Sequence, residues 1–352
     1  MNSPEIRYTL VSSYTRDGFV SFIPDLVSSL KKVYVLKGAA DELISLFIKR
    51  WGDFFYEKGC AVEFFLSALD PDRVDGAYVP ALQVAMINGN LPKPIETGYP
   101  GWRTYFINLR DYLAEEIAEE GERKMEKIAS LLQQEKEKAE QKVKEAGKIK
   151  EEMYSLSSSR LDMEEIKRLT ERLIEEIGKE RKKEKHYFAS SFTKEGMISY
   201  LDEISRRCYR RYILKGPAGS GKSTVISNVA AFCKEQGLSV TYYHNGLDEE
   251  KLDMIIVENL QLAVIDGGEK GLTLRPGDVV LDMGKVLHFY RQEEAYRYIE
   301  LGRDYEEKLI EAREHLEKWD AYLAEIGKIW AKALDFELLD RKREELNQLG
   351  LK

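Results

Sequence analysis

The chain is written twice. Residues 12–90 align with residues 190–268 at a constant offset of 178 without a gap, and about two dozen of the 79 aligned positions are identical. Ser12-Ser-Tyr-Thr-Arg-Asp-Gly18 matches Ser190-Ser-Phe-Thr-Lys-Glu-Gly196, and Tyr34-Val-Leu-Lys-Gly38 matches Tyr212-Ile-Leu-Lys-Gly216. Leu82-Gln-Val-Ala-Met-Ile-Asn-Gly89 matches Leu260-Gln-Leu-Ala-Val-Ile-Asp-Gly267. A match of that length marks the duplication of a folding unit, so each copy should reach the same fold.

Each copy reads as helix and strand in alternation. Amphipathic helices are expected over 19–30 and 197–208, and short apolar strands over 33–36 and 212–214. A loop and a second helix follow, ended by Gly59 and Gly237 as helices commonly are. Further strands are expected over 61–66 and 239–244, a turn and short helical segment over 70–79 and 248–257, and strands over 83–87 and 261–265. Short apolar strands separated by helices indicate an α/β layer with a parallel sheet.

The copies differ most at one loop. In the second copy it reads Gly216-Pro-Ala-Gly-Ser-Gly-Lys-Ser-Thr224, which fits G-x-x-x-x-G-K-[ST] between a strand and a helix, the context that phosphate-binding motif requires. Gly216, Gly219 and Gly221 let the backbone N–H groups approach phosphate oxygens, with Pro217, Ala218 and Ser220 completing the turn. The following helix points its positive end at the same place. Lys222 can reach the β and γ phosphates, the Ser223 hydroxyl can hold Mg²⁺, and Thr224 can support a phosphate. Asp266 ends an apolar strand at the position that holds Mg²⁺ in such proteins.

In the first copy Asp41-Glu-Leu-Ile44 replaces Gly219-Ser-Gly-Lys222, and Asn88 replaces Asp266. The cation is gone and two acids stand beside the would-be polyanion, so this copy should keep the fold without the site.

The remaining site residues are open to choice. No glutamate follows Asp266 directly; Glu269 comes three residues later. His244, Asn245 and Asp248 follow a strand end, where ligands of open α/β sheets bind. His244, whose counterpart is Leu66, joins Lys222 and Asp266 as the candidate catalytic set, with Ser223 and Asp266 as metal ligands. Asp248 and Asp253 have counterparts in Asp70 and Asp75, which favours a structural role. Arg16, Arg50 and Arg73 are candidates for an arginine reaching the second copy's site.

After each copy the composition turns to Glu, Lys and Gln. Met125, Ile128, Leu132, Ala139, Val143, Ala146, Ile149 and Met153 form one heptad-like stripe, and Leu309, Leu316, Trp319, Leu323, Ile326 and Trp330 another. Asp162-x-x-Glu165 resembles a capping box opening a short second helix, and Leu334-Asp-Phe336 echoes Leu161-Asp-Met163. The expectation is a helical hairpin or coiled-coil arm after each copy, with a break in the first at Gly121 or Gly147. The domains would then run in series: 1–110 (degenerate copy), 111–187 (arm), 188–285 (active copy) and 286–352 (second arm).

Composition narrows the class. With 33% charged residues and a net charge of −8 without a basic stripe, the chain is a poor candidate for duplex DNA binding. The three cysteines, Cys60, Cys208 and Cys233, are widely spaced and contain no C-x-x-C, so zinc and disulfide frameworks are not indicated. Without an 18-residue apolar run or a signal-peptide pattern, a cytoplasmic protein with no membrane partner is the expectation.

Two loop-bearing copies, Leu-Lys-Gly before both loops, Leu69-Asp-Pro-Asp-x-x-Asp-Gly76, Pro92, Tyr99-Pro-Gly101 and a charged arm after each copy resemble a family of uncharacterised bacterial tandem P-loop ATPase-like proteins over nearly the whole chain. The resemblance implies ATP and Mg²⁺ as ligands. This chain departs from the family pattern twice, by lacking the glycine-lysine loop at 41–44 and the Pro-His after the strand-end Asp. Residues and resemblance together lead to an NTP-binding protein (ATP or GTP) acting as a slow NTPase or switch, with one live site and one pseudo-site. The arms would bind a protein partner or a second copy. A small-molecule or nucleotide kinase, and a coiled-coil ATPase working on a macromolecule, stay open as alternatives.

Overall fold

The computed structural model describes residues 5–92, 103–113, 119–158, 160–174, 185–268, 272–287 and 292–351. The first repeat gives β1 (Ile6–Leu10), the hairpin strands β2 (Ser12–Thr15) and β3 (Gly18–Ser21), α1 (Ile23–Val27), β4 (Lys32–Lys37), α2 (Asp41–Glu57), β5 (Val62–Leu66), β6 (Val74–Val79), β7 (Val84–Asn88) and β8 (Thr104–Asn108). The helices α3 (Glu119–Ser158) and α4 (Met163–Ile174) follow. The second repeat gives β9 (Lys185–Phe188), β10 (Ser190–Thr193), β11 (Gly196–Ser199), α5 (Leu201–Ile204), β12 (Arg210–Lys215), α6 (Lys222–Glu235), β13 (Val240–His244), β14 (Leu252–Val257), β15 (Leu262–Asp266) and β16 (Val279–Asp282). The chain ends in α7 (Gln292–Ala333) and α8 (Phe336–Leu351).

The architecture is α/β, with helices against mostly parallel strands. Contacts divide the chain into unit 1, formed by Met1–Ser12, Ser21–Ala139 and Glu314–Lys352, and unit 2, formed by Ser13–Val20 and Glu140–Arg313. Strand order in unit 1 is β1-β5-β6-β7-β4-β8, and in unit 2 it is β9-β13-β14-β15-β12-β16. These are the same order, strand for strand. Even the irregularities repeat: the register shifts between Phe65 and Leu66 in one unit and between Tyr243 and His244 in the other.

Several expectations are corrected. The segments expected as turn and short helix, 70–79 and 248–257, carry β6 and β14, which run antiparallel to both neighbours inside otherwise parallel sheets. Their central residues are buried on both faces. A strand so buried has no alternation to betray it, and its apolar run suits a helix equally well. The helices expected over 19–30 and 197–208 shrink to α1 and α5, because the residues before them close the hairpins β2–β3 and β10–β11.

The arms also differ from the serial division. α3 is continuous through Gly121 and Gly147, so the expected break is absent. In unit 2 the second half of α3 runs antiparallel to the first half of α7, shown by Lys142–Glu311 at 2.6 Å and Arg297–Glu152 at 3.1 Å. Leu161 bridges Leu287, and the Asp162 N–H donates to Val286 O at 2.8 Å. The Asp162 carboxylate then caps α4, accepting from the N–H groups of Glu164 and Glu165 at 3.0 Å each, and α4 packs on α6. In unit 1 the other ends do the same: Leu334 bridges Leu113, the Asp335 N–H donates to Tyr112 O, and α8 packs on α2. The echo of Leu161-Asp162 in Leu334-Asp335 is thus a shared docking motif. Each copy's last helix completes the unit built on the other copy's sheet, in place of a hairpin on its own.

In unit 1 Asp41 of the degenerate loop is bonded to side chains at the end of β7 and just beyond it. Asp41 accepts from Asn88 Nδ2 at 3.3 Å and Asn90 Nδ2 at 3.0 Å, and Asn88 also reaches Asp75 Oδ1 at 3.4 Å. Burial, followed by the charge of Asp41, pushes the Asp75 carboxyl up to about 7. Its folded pKa thus lies above its unfolded value near 3.9, so the native state holds the extra proton between roughly pH 4 and 7. The stability this proton provides is present below pH 4 and lost as pH rises through 7. Asp75→Asn should raise the melting temperature of unit 1 at pH 8 by about 5 °C, from roughly 2 kcal/mol of relieved burial, and change it little at pH 5. Thermal unfolding at the two pH values reads this directly.

Candidate functional site

In unit 2 the 216–224 loop lies between the carboxyl end of β12 and the start of α6. Gly219 (φ +81°) and Gly221 (φ +82°) both take the left-handed conformation that favours glycine, and Gly221 is the residue from which α6 begins. β12 pairs in parallel with β15, with Leu214 opposite Asp266, so the loop and the strand-end carboxylate share one sheet edge. That is where ligands of α/β sheets bind.

Lys222 is 7% exposed. Its Nζ donates to Gly216 O at 3.0 Å and Pro217 O at 2.9 Å and lies 3.7 Å from Asp266 Oδ2. Asp266 also accepts the Gly268 N–H at 2.8 Å. Ser220 is fully buried and its Oγ has no hydrogen-bond partner. A Cβ on Gly216 would come within 2.7 Å of that oxygen, so the loop closes only with glycine there.

Lys222, Asp266 and Gly216 line a cavity of about 320 Å³. Gly216, Pro217, Ala218, Gly219, Gly221, Lys222, Ser223 and Thr224 form one wall, and Asp266 and Gly268 adjoin it. Asn245, Lys251 and Asp253 come from the β13–β14 region. Lys150, Tyr154, Ser158 and Leu161 come from α3 and the residues after it. Asp253 is buried, accepting from Asn245 Nδ2 at 3.0 and 3.1 Å and from Ser190 Oγ at 3.2 Å, so its carboxylate is held rigidly at the cavity wall. The set suits a polyanion with a divalent cation: ammonium groups, two orienting glycines, a helix start, and carboxylates for a metal.

The motif glycines have a second reason to be glycines. A Cβ on Gly219 would lie 2.3 Å from Ser157 Cβ, and one on Gly221 would lie 2.7 Å from Ile166 Cδ1. Ser157 Oγ donates to Ala218 O at 2.9 Å, and Tyr298 Oη donates to the same carbonyl at 3.2 Å. The loop is therefore gripped from outside by α3, α4 and α7.

Of the candidate catalytic residues, Lys222 and Asp266 come together, and Ser223 lines the same cavity. His244 does not line it. Its ring lies between the Glu249 carbonyl, bonded to Nδ1, and His186 Nδ1, 2.8 Å from its Nε2. Burial, offset in part by the Glu249 bond, pushes the imidazole down to about 4, so it is neutral at pH 7. His244 thus has a structural place beside the site. Arg16, on the β2–β3 hairpin, is bound by Glu151, Glu250 at 3.1 Å and Asp248 at 3.6 Å and is not among the lining residues. Arg50 pairs with Asp340, and Arg73 with Asp70 and Asp320, in unit 1. Glu269 lies outside the described residues.

Lys150, Tyr154 and Ser158 were not expected here. The one available signal was their i, i+4, i+8 spacing beside the apolar stripe of α3. Asp253, expected as a structural cap, lies at the cavity wall as well. No family model matches the chain, and no curated protein or solved structure matches it either. Among the described residues, no helix is long and apolar enough to cross a membrane.

Proposed function

We propose that unit 2 is a P-loop NTPase-like domain that binds a nucleoside triphosphate, ATP or GTP, with Mg²⁺ and hydrolyses it slowly, and that unit 1 is a related copy without the site. One observation carries this reading: the cavity at the sheet edge joins the motif loop, Lys222 and Asp266. The residues fit the ligand. The buried, unpartnered Ser220 Oγ and the left-handed Gly219 and Gly221 belong to a loop built around its own backbone. Ser223 and Asp266 would hold Mg²⁺, which when bound neutralises phosphate charge.

The loop N–H groups and the start of α6 orient the phosphates. Lys222 exchanges its bonds to Gly216 O and Pro217 O for phosphate oxygens. No carboxylate follows Asp266 directly in sequence, and the Asp253 carboxylate is already engaged by Asn245 and Ser190, which supports slow turnover. α3, α4 and α7 grip the loop, so a nucleotide that reshapes it also acts on these helices, the property a switch needs.

The test is phosphate release from ATP or GTP with Mg²⁺ and only water as acceptor. Release supports a hydrolase over a kinase, and binding without release in any acceptor-free assay would remove the hydrolase reading. Asp266→Asn should lower release at least about tenfold, a barrier increase of about 1.4 kcal/mol, while nucleotide binding measured without Mg²⁺ stays close to the parent.

A further inference from the structure

We infer that Lys150 of α3 and Lys251 of the β13–β14 turn read the terminal phosphate, so that unit 2 distinguishes a triphosphate from a diphosphate through a helix outside the loop. The inference rests on the reading of the cavity as a nucleotide site.

Charge is the first reason. Without these two lysines the lining would set one ammonium, Lys222, against two carboxylates, Asp253 and Asp266. Such a wall opposes an anion until a divalent metal ion binds, and with one bound it sets only a single net positive charge against a triphosphate. Lys150 and Lys251 reverse the balance to three ammonium groups against two carboxylates.

Position is the second. Lys150, Tyr154 and Ser158 are spaced by four, so they stack on one face of α3, and all three line the cavity. The same helix is fixed to the loop one residue earlier than Ser158, where Ser157 Oγ meets Ala218 O at 2.9 Å. Lys150 precedes Ser157 by seven residues, about 10 Å along the helix axis. It therefore joins the lining about two helical turns from the Ala218 contact, in a cavity whose wall also holds Asn245, Asp253 and Lys251. Lys222 serves the loop itself.

Each lysine makes an aromatic contact of a kind that a phosphate can replace. Lys150 Nζ lies 5.3 Å from the centroid of the Tyr305 ring and 3.5 Å from its hydroxyl. Lys251 Nζ lies 5.5 Å from the Tyr154 ring centroid. A partly exposed contact with an aromatic face is weaker than a charge-assisted hydrogen bond to phosphate. Engagement of the terminal phosphate by Lys150 pulls on α3, and its loss on hydrolysis releases α3 from that end of the cavity.

The experiment compares binding of fluorescent tri- and diphosphate nucleotides with Mg²⁺ by the full chain and its Lys150→Ala, Lys251→Ala, Lys150→Arg and Lys222→Ala variants, with circular dichroism as the control for folding. Lys150→Ala and Lys251→Ala should each weaken the triphosphate about tenfold and the diphosphate less than about threefold. Lys150→Arg should recover most of the loss, and Lys222→Ala should weaken both nucleotides. If Lys150→Ala disturbs α3, Lys150→Gln keeps the aliphatic stem and carries the same expectation. Equal weakening of both nucleotides by the Lys150 and Lys251 variants, or none, overturns the inference while leaving the nucleotide site in place. A parent chain that binds neither nucleotide overturns the site and the inference together.

Discussion

A chain carrying Lys222→Ala should bind a magnesium nucleoside triphosphate at least about 100-fold more weakly than the parent. The size follows from what the ammonium does. It lies at the head of the cavity, between two loop carbonyls at 3.0 and 2.9 Å and the Asp266 carboxylate at 3.7 Å. With phosphate in reach it can make two charge-assisted hydrogen bonds, each about 1.5–3 kcal/mol, and about 2.7 kcal/mol is already a factor of 100. Stability without nucleotide should fall much less, because the lost partners, two loop carbonyls and the Asp266 carboxylate, lie at a cavity wall where water can replace the ammonium. Titration with a fluorescent ATP or GTP analogue and thermal unfolding without ligand separate the two effects. Unchanged nucleotide affinity in a folded variant would remove Lys222 from any phosphate site and the proposed function with it.

The duplication was readable because its marks are local. Gly38 and Gly216, Gly59 and Gly237, and Asp75 and Asp253 hold turns, helix ends and a buried hydrogen-bonded carboxylate, and such positions tolerate few residue types. The same strand order then appears in both units. The motif loop was readable for the same reason, since two of its glycines need positive φ. What was not readable is long-range. An apolar stripe on α3 states that the helix has a partner and leaves the partner unnamed. The stripe that suits a hairpin with its own second helix equally suits α7. The short strands β6 and β14 were hidden by burial on both faces. His244 was misplaced because a strand-end position says that a side chain is near a sheet edge. The bonds to His186 and Glu249 that hold it decide which way it faces.

The exchange of the terminal helices gives the Leu-Asp pairs a purpose that neither copy reveals alone. Leu161-Asp162 meets Val286 and Leu287, and Leu334-Asp335 meets Tyr112 and Leu113. In each case a bridge and a backbone hydrogen bond seat the pair, and the aspartate then caps the helix that covers α6 or α2. In unit 2 this covering helix reaches Gly221 through Ile166. A change in loop shape is therefore felt by a helix that follows the first copy in sequence, and under the proposed function this contact is how a single nucleotide site would draw on both copies.

Arg211→Met should destabilise unit 2 by about 3–5 kcal/mol, lowering its melting temperature by about 10 °C. Arg211 lies on β12, the strand that leads into the loop, and its side chain is 1% exposed. Its guanidinium grips Asp278 with two bonds, Nε to Oδ1 at 2.8 Å and Nη2 to Oδ2 at 2.6 Å. Nη1 reaches Asp202 Oδ1 at 2.9 Å, and Nη2 also reaches Thr273 O at 2.7 Å. The bond from Arg211 holds the Asp278 carboxyl below its ordinary value. A lowered folded pKa means that this stability is present above the unfolded value near 3.9 and is lost as pH falls through the folded one. Methionine fills most of the space and leaves Asp278 charged, buried and short of its main partner, which is the costly half of breaking such a pair. Lysine should not rescue it, because a single ammonium cannot make the two parallel bonds to Asp278 and still reach Thr273 O. The double variant Arg211→Met, Asp278→Asn should recover a large part of the loss by removing the stranded charge. A double variant no more stable than Arg211→Met alone would place the effect in packing. The first copy carries Val33 at the aligned position, so the pin belongs to the strand that bears the glycine-lysine loop. Nucleotide at about 100 times its Kd should return about 2.7 kcal/mol to the single variant. That recovery joins the stability of β12 to occupancy of the site it carries.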